Sequence, residues 1–299
     1  MPETIKHIEK VEIKNLWNRY DMEWKLNPDV NILAGINGSG KTTILGLIAG
    51  TLNGKIDKKI ANMVENVSVA FNNGKTISFN RIAVEGGFFL FENLGLEHDE
   101  FRKILGIDVI STFDKELKEY EALSKLTAEE VKTELDLQIF LLQKKYLEYQ
   151  INIGNKALQS LISGNIPLEQ QKKIAYKRNL FQDTLDELFK PTEKQIDRTK
   201  NELVFSKGKQ SISPYMLSSG EKQMVIILLT ALVQDEKNSV MLLDEPEISL
   251  HTDWQEKLIQ MIRNLNQNAQ IIIATHSPSI VLEGWRNHVF EVSDIVKTK

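Results

Sequence analysis

Cysteine is absent from the 299 residues of the chain, and this absence excludes disulfide bonds, thiolate metal sites and cysteine nucleophiles. The chain also lacks an apolar run near the roughly 20 residues of a membrane-spanning helix. The longest run, Met224–Leu229, has the length of a core element. Met1–Lys10 contains no apolar core of a signal peptide. These absences lead us to expect a cytoplasmic protein that makes no membrane contact.

An excess of charge of one sign is lacking as well. The chain contains 37 Lys and Arg residues and 41 Asp and Glu residues, which gives a formal net charge of −4. Hydrophobic residues make up 41% and charged residues 26% of the chain, as in ordinary globular proteins, so disordered and collagen-like classes are excluded. Any nucleic acid would therefore have to bind at a local basic patch.

The segment Gly35–Thr42 has the spacing of a phosphate-binding loop. Its glycines allow backbone N–H groups to converge on phosphate oxygens. Lys41 would contact the β- and γ-phosphates, and the Thr42 hydroxyl would reach Mg²⁺. Val30–Ala34 predicts a strand before the loop, and Thr43–Gly50 predicts a helix after it, which makes a simple glycine-rich turn a poorer explanation. The predicted nucleotide-binding residues here are Asn37, Gly38, Ser39, Gly40, Lys41, Thr42 and Thr43.

A second motif, Val240–Glu245, is an apolar strand that ends in two carboxylates. Asp244 is a candidate Mg²⁺ ligand, and Glu245 is a candidate catalytic base that orients and deprotonates the attacking water. Many strands end in Asp-Glu at a turn, so the pattern is weak alone. Together with the phosphate loop it becomes a strong indication of nucleotide hydrolysis.

Two further segments carry candidate phosphate contacts. Ser218-x-x-Glu221 is a capping box before the apolar helix Met224–Leu232, and a capped helix start is the simpler explanation. Ser218, Ser219 and Gly220 would also form an anion site that completes the γ-phosphate pocket of a neighbouring subunit. His276 directly follows the buried strand Gln270–Ala274, where it could contact a γ-phosphate or its attacking water.

The composition changes twice along the chain. Residues 1–90 are rich in strands, 91–200 are helical, and 201–299 alternate strand and helix. Because Lys41 and Asp244 must meet one nucleotide, we assign 1–90 and 201–299 to one discontinuous head and 91–200 to a helical insertion. A capping box at Thr127–Glu130, a helix start at Pro167 and a stop at Pro191 predict that the insertion is a helical hairpin. Its first helix has one apolar stripe, formed by Val131, Leu135, Ile139, Leu142, Tyr146 and Tyr149.

These motifs, in this order, resemble those of the ATP-binding-cassette (ABC) ATPases. Gly35–Thr42 is similar to their Walker A motif, Leu217–Gln223 to the signature motif, Leu242–Glu245 to Walker B, and His276 to the switch histidine. The resemblance implies an α/β fold: a P-loop ABC-ATPase head with a mostly parallel core sheet, an N-terminal antiparallel β part and an inserted helical subdomain. It also implies ATP and Mg²⁺ as ligands, and Glu245 and His276 as catalytic residues.

The string Asp244–His251, with Thr275–Pro278, resembles the soluble AAA15/21 branch, whose relatives include overcoming-lysogenization-defect nucleases, RecF and the structural-maintenance-of-chromosomes (SMC) and Rad50 heads. That resemblance implies a homodimer that sandwiches ATP and switches a separate effector, such as a nuclease, in Septu- or retron-type anti-phage defence. A RecF- or Rad50-like DNA-binding repair ATPase is the alternative. For it, residues 137–200 hold 11 Lys and Arg against 7 Asp and Glu, including Lys172, Lys173, Lys177 and Arg178. The ATPase of a membrane transporter is a third reading.

Overall fold

The computed structural model describes residues 4–84, 88–95, 101, 104–111, 131–163, 175–282 and 284–298. The chain forms two compact units, and both are discontinuous in sequence. Unit 1 consists of Met1–Ser111, Lys237–Glu247 and Asn268–Lys299. Unit 2 consists of Thr112–Glu236 and Ile248–Gln267.

The strands of the described residues are numbered along the chain. They are β1 (Ile8–Leu16), β2 (Tyr20–Lys25), β3 (Val30–Ala34), β4 (Asn66–Phe71), β5 (Thr76–Val84), β6 (Phe88–Gly95), β7 (Gly106–Ser111), β8 (Gln195–Ile196), β9 (Phe205–Lys207), β10 (Gln210–Ile212), β11 (Ser239–Asp244), β12 (Ala269–Thr275), β13 (Val289–Glu291) and β14 (Val296–Thr298).

The helices are numbered in the same way. They are α1 (Lys41–Asn53), α2 (Lys58–Ala61), α3 (Glu134–Ser163), α4 (Tyr176–Phe189), α5 (Ser219–Val233), α6 (Thr252–Leu265), α7 (Pro278–Leu282) and α8 (Val292–Ile295). Among the described residues, no helix combines the length and the apolar character that a membrane crossing requires.

A five-stranded parallel sheet forms the centre of unit 1, in the order β13-β3-β12-β11-β7. Every residue of β12 is buried, and β3 and β11 are buried except at their last residues. This burial explains why their sequences are mostly apolar and do not alternate between apolar and polar residues. The carboxyl ends of β3, β11 and β12 share one edge of the sheet, because the three strands are adjacent and parallel.

A six-stranded sheet, β14-β2-β1-β4-β5-β6, is the second layer of unit 1. All of its pairings are antiparallel. The predicted hairpin at Asn72-Asn73-Gly74 is confirmed, since Gly74 has φ +77° and its N–H donates to the carbonyl of Phe71. Trp24 of β2 and Leu47 of α1 belong to one core cluster. The predicted combination of an antiparallel N-terminal part and a parallel sheet is therefore confirmed.

The helical prediction for residues 91–200 is wrong over Gly106–Ser111. These residues form β7, which pairs with β11 from Ser239 to Asp244. β6 also continues past residue 90, to Gly95. β7 is short and lies at the edge of its sheet, so its conformation comes from pairing with a distant segment, and local periodicity does not encode it. The assignment of 1–90 and 201–299 to a head, and of 91–200 to an insertion, stays a prediction.

Unit 2 contains the two long helices of the predicted insertion. The predicted apolar stripe is confirmed, since all six of its positions are buried, five of them in α3 and Val131 shortly before it. Both α3 and α4 pack on α5, and the ring of Tyr146 contacts that of Phe181. α4 ends before Pro191 as predicted, whereas Thr127–Glu130 and Pro167 lie outside the described residues. The predicted hairpin arrangement stays a prediction.

Candidate functional site

The predicted phosphate loop connects β3 to α1 and wraps around the ammonium group of Lys41. Lys41 Nζ donates to the carbonyl oxygens of Gly35, over 2.9 Å, and of Ile36, over 3.4 Å. Its side chain is only 3% exposed, which is unusual for lysine and requires such polar partners. Asn37 and Gly38 are exposed at the outside of the loop, while Ser39 is half-buried. The positive charge is therefore fixed inside the loop.

Gly40 is the residue of the loop with the least freedom to change. It has φ +96°, and a Cβ added there would lie 2.1 Å from Cη2 of Trp17. Trp17, in the turn between β1 and β2, thus packs its indole ring on the loop backbone. Sequence reasoning missed Trp17, because nothing in the local sequence links a residue of the first hairpin to the loop.

The metal-binding pair predicted from the two Walker motifs is brought together. The Thr42 hydroxyl donates to Asp244 Oδ1 over 3.1 Å, although 202 positions separate the two residues. Lys41 Nζ lies 3.8 Å from Glu245 Oε1. Thr43 is half-buried in the first turn of α1. The ends of β3 and β11 therefore place a hydroxyl, two carboxylates and an ammonium group at one edge of the sheet.

The environment of Asp244 affects its charge. Burial raises the pKa of Asp244, the hydrogen bond from Thr42 lowers it, and the neighbouring Glu245 carboxylate raises it again, so that the pKa lies above the ordinary value for aspartate. A cation at this carboxylate would favour its ionised form. The group is therefore suited to binding a divalent ion.

Glu245 has a left-handed backbone, with φ +46°, which is uncommon outside glycine. Its N–H donates to the carbonyl of Ala274 over 2.8 Å. This bond ties the residue after β11 to the end of β12. Non-glycine residues in such conformations concentrate at functional sites.

His276 lies next to the acidic pair, as its position after β12 predicts. Its Nδ1 is 3.2 Å from Glu247 Oε1 and 3.7 Å from Glu245 Oε1. The His276 side chain is 45% exposed, so part of the imidazole remains open to a ligand. Sequence reasoning gave no role to Glu247, although it lies within the segment Asp244–His251.

Two cavities border the phosphate loop. One, of about 660 Å³, is lined by Asn37, His276 and Pro278 among others. The second, of about 670 Å³, is lined by Trp17, Tyr20 and Ser39 among others. Glu291, at the end of β13, lines both. Each cavity has the size of a small-molecule site.

The predicted signature motif lies at the start of α5, in unit 2. Ser218 and Glu221 form the predicted capping box: Ser218 Oγ accepts from the Glu221 N–H, and Glu221 accepts from the Ser218 N–H. Ser218 and Ser219 are exposed. A Cβ on Gly220 would lie 2.3 Å from the carbonyl oxygen of Ser249, so the close approach of two backbone segments requires glycine here.

The residues of unit 1 fit a magnesium nucleotide. The loop presents a buried ammonium group to a phosphate chain, and glycine is needed where a side chain would collide with Trp17. The Thr42 hydroxyl and the Asp244 carboxylate supply two oxygen donors, which are the ligands that Mg²⁺ prefers. Ser111, the last residue of β7, pairs with Asp244, so the chain leaves β7 at the same edge of the parallel sheet.

Residues 30–283 match the model of the AAA_21 family, described as "AAA domain, putative AbiEii toxin, Type IV TA system". The chain belongs to the AAA_21 family. As an AAA_21 protein it is a P-loop ATPase by family, and the ABC-type ATPase resemblance read from its motifs is confirmed.

Curated relatives of this AAA_21 protein include retron and Septu proteins. It is 26% identical over 185 residues to "Retron Vc95 probable ATPase" of Vibrio cholerae serotype O1 biovar El Tor. This match covers 56% of this chain and 34% of the relative. It is 45% identical over 49 residues to the "Septu protein PtuA" of Bacillus thuringiensis, which covers 16% and 12%. The chain thus spans about a third or less of the length of these relatives.

Solved structures with a similar fold include SMC heads. The SMC head bound to the C-winged helix domain of ScpA has a TM-score of 0.57 and 14% identity, and the match covers 98% of this chain and 97% of that chain. The SMC head from Pyrococcus furiosus, with an extended coiled coil and the C-terminal domain of ScpA, has a TM-score of 0.54 and 15% identity, with 98% and 96% covered. These similarities confirm the predicted α/β head fold.

Proposed function

We propose that this AAA_21 protein hydrolyses ATP between two copies of the chain, and that the cycle switches a separate effector, such as a nuclease, in anti-phage defence. The observation that supports hydrolysis best is the meeting of Lys41, Thr42, Asp244, Glu245 and His276 at one edge of the parallel sheet. These are the charges and proton acceptors that phosphoryl transfer to water requires.

Each side chain has a distinct role in this proposal. Lys41 binds the β- and γ-phosphates, and Glu245 orients and deprotonates the attacking water. His276 contacts the γ-phosphate. Mg²⁺, when held by Thr42 and Asp244, neutralises charge on the phosphates. Asn37, Gly38, Ser39, Gly40 and Thr43 complete the loop, mostly through backbone N–H groups.

The second copy of the chain supplies the signature residues. Ser218 and Ser219 are exposed at a capped helix start, and Gly220 is in tight contact with the backbone of Ser249. Hydroxyls and N–H groups in such a position bind anions. In the proposed dimer they contact the γ-phosphate held by the other copy, so hydrolysis removes a shared contact and releases the dimer.

The defence role is supported by the retron and Septu relatives. Inspection of the neighbouring reading frames in the source genome tests it. A nuclease or reverse-transcriptase gene beside this one is expected. A permease gene would favour transport, and replication genes would favour the alternative of a RecF- or Rad50-like DNA repair ATPase.

The cluster of Lys and Arg residues that suggests the DNA-binding alternative already makes some contacts within the chain. Lys177 Nζ lies 3.2 Å from Glu236 Oε1 and donates to the carbonyl of Asn264. Lys172 and Lys173 lie outside the described residues. Because Lys177 is held by protein partners, it is less available to bind a phosphate backbone. DNA binding that falls steeply as salt is added would support the DNA-repair alternative.

The variant Glu245→Gln tests the proposed reaction. Loss of the proton acceptor should lower kcat by about 10²-fold or more, while ATP binding persists and an ATP-bound dimer accumulates. Phosphate release and light scattering with ATP and Mg²⁺ measure the two effects. Glu187→Gln, at a side chain that is 79% exposed, is the matched control. Turnover at the normal rate in Glu245→Gln, or full turnover by a strict monomer, would contradict the proposal.

A further inference from the structure

Glu247 is a buried carboxylate with two hydrogen-bond donors and one imidazole nitrogen around a single oxygen. Its Oε1 accepts from the Thr275 hydroxyl over 2.6 Å and from the His276 N–H over 2.9 Å. His276 Nδ1 lies 3.2 Å from the same oxygen. The Glu247 side chain is 5% exposed. Burial of a carboxylate is costly unless hydrogen bonds compensate it, so these contacts hold Glu247 at the end of β12.

The contact between Glu247 and the imidazole defines which ring nitrogen carries hydrogen. Glu247 Oε1 accepts from the Thr275 hydroxyl and from the His276 N–H, so it acts as an acceptor, and the Nδ1 that faces it is assigned as the N–H of the ring. Nε2 is then the nitrogen left for another contact. The Glu245 oxygen at 3.7 Å from Nδ1 is too distant for a hydrogen bond, which makes Glu247 the partner that orients the ring.

Backbone and side chain of His276 are held by the same oxygen. The bond to the His276 N–H fixes where the chain leaves β12, and the contact with Nδ1 fixes the ring's rotation. The Thr275 hydroxyl also accepts from the Ser277 N–H over 2.9 Å. A loop that needed only its main chain held would not require the contact with the ring. We therefore infer that the contact fixes the orientation of the imidazole ring.

We propose that Glu247 is a positioning residue that holds His276 by Nδ1–H and thereby presents Nε2 to the bound nucleotide. The proposal rests on the proposed role of His276 at the γ-phosphate. Glu247 itself touches no reacting atom. It acts as the carboxylates behind many functional histidines do, by fixing the tautomer and the orientation of the ring.

The tautomer of His276 tests the proposal without nucleotide. In the full chain labelled with ¹⁵N-histidine, a His276→Asn variant assigns the signals of His276 among the five histidines. The wild-type protein should show hydrogen on Nδ1. Glu247→Ala should shift the ring toward the Nε2–H form, and Glu247→Gln, which keeps an acceptor oxygen, should lie between the two. An unchanged tautomer in Glu247→Ala would overturn the proposal.

Steady-state kinetics supply the second readout. Glu247→Ala should lower kcat about 10- to 100-fold with KM for ATP within about twofold, and Glu247→Gln should restore part of the loss. Glu187→Gln is again the control. Thermal unfolding shows whether Glu247→Ala folds, and if it does not fold, the test is made with Glu247→Gln. A change in KM for ATP without a change in kcat would contradict the positioning role of Glu247. If His276→Asn turned over normally, the proposed function of His276 would fail, while the tautomer result would still stand for Glu247.

Discussion

The indole of Trp17 occupies the space that a side chain at Gly40 would need, since a Cβ there would lie 2.1 Å from Cη2 of Trp17. The ring therefore supports the phosphate loop from the side of the first hairpin. Gly40 also has φ +96°, a conformation that L-residues rarely adopt. Two independent constraints, one steric and one conformational, thus require glycine at this position.

Gly40→Ala should weaken ATP binding and destabilise the fold by about 2 kcal/mol, because the left-handed backbone alone costs about 1–2 kcal/mol and Trp17 must also move. Equilibrium binding of a fluorescent ATP analogue and urea unfolding measure the two effects. Gly154→Ala is the control, since no neighbouring atom lies near its added Cβ and alanine favours its helix.

The Trp17→Ala/Gly40→Ala double variant separates the two causes. It should recover the part of the loss that comes from the collision with the ring, and it should keep the part that comes from φ. A Gly40→Ala protein that bound ATP as well as the wild type would show that the loop does not need this geometry.

The stability effect of a Glu221 variant should depend on pH. Burial raises the pKa of Glu221, but hydrogen bonds from Lys194, the Ser218 N–H and Thr192 outweigh burial and leave the pKa below its ordinary value. A lowered pKa in the folded state contributes stability that is complete above the ordinary pKa and is lost as pH falls through the folded one. Glu221→Gln should thus cost about 2 kcal/mol at pH 7.

The difference in stability between Glu221→Gln and the wild type should shrink as pH falls below 4.5, the ordinary pKa of a glutamate. Urea unfolding at a series of pH values measures it. Glu193→Gln, at a side chain that is 77% exposed, should show little effect at any pH. A loss that stayed constant into acid would contradict the role of the ionised carboxylate.

Lys222, within the signature segment Leu217–Gln223, forms a buried ion pair with Asp136. Lys222 Nζ lies 2.7 Å from Asp136 Oδ1, with the side chains 10% and 4% exposed. Lys222→Met should cost about 3–5 kcal/mol, because it leaves a buried charge unpaired. Asp136→Asn added to it should restore much of that loss, since the amide oxygen can still accept from the N–H groups of Lys132 and Thr133.

The Lys156–Asp235 pair is the control for this prediction. Its N–O distance is 2.6 Å, but the side chains are 53% and 33% exposed, so Lys156→Met should cost less than about 1 kcal/mol. Denaturant unfolding compares the two pairs. Equal losses for Lys222→Met and Lys156→Met would show that burial does not decide the strength of the first pair.

The sequence was sufficient to predict the parts of the fold that depend on local patterns. Val30–Ala34 is a strand as predicted, and the stripe along α3 is buried, because periodicity reports which face is apolar. β7 was missed, since its strand conformation depends on pairing with β11. Trp17 and Glu247 were missed as contacts for the same reason: each acts on a residue brought close only by the tertiary fold.

The order of the parallel sheet has a consequence for how the site responds to heat. The strands that lead into Lys41, Glu245 and His276 are the inner three, and β13 and β7 lie outside them. Fraying of a sheet starts at its edges, where amides exchange with solvent first. The phosphate-loop lysine and its acidic neighbours therefore follow inner strands, and we expect their alignment to persist after the edge strands of this sheet begin to fray.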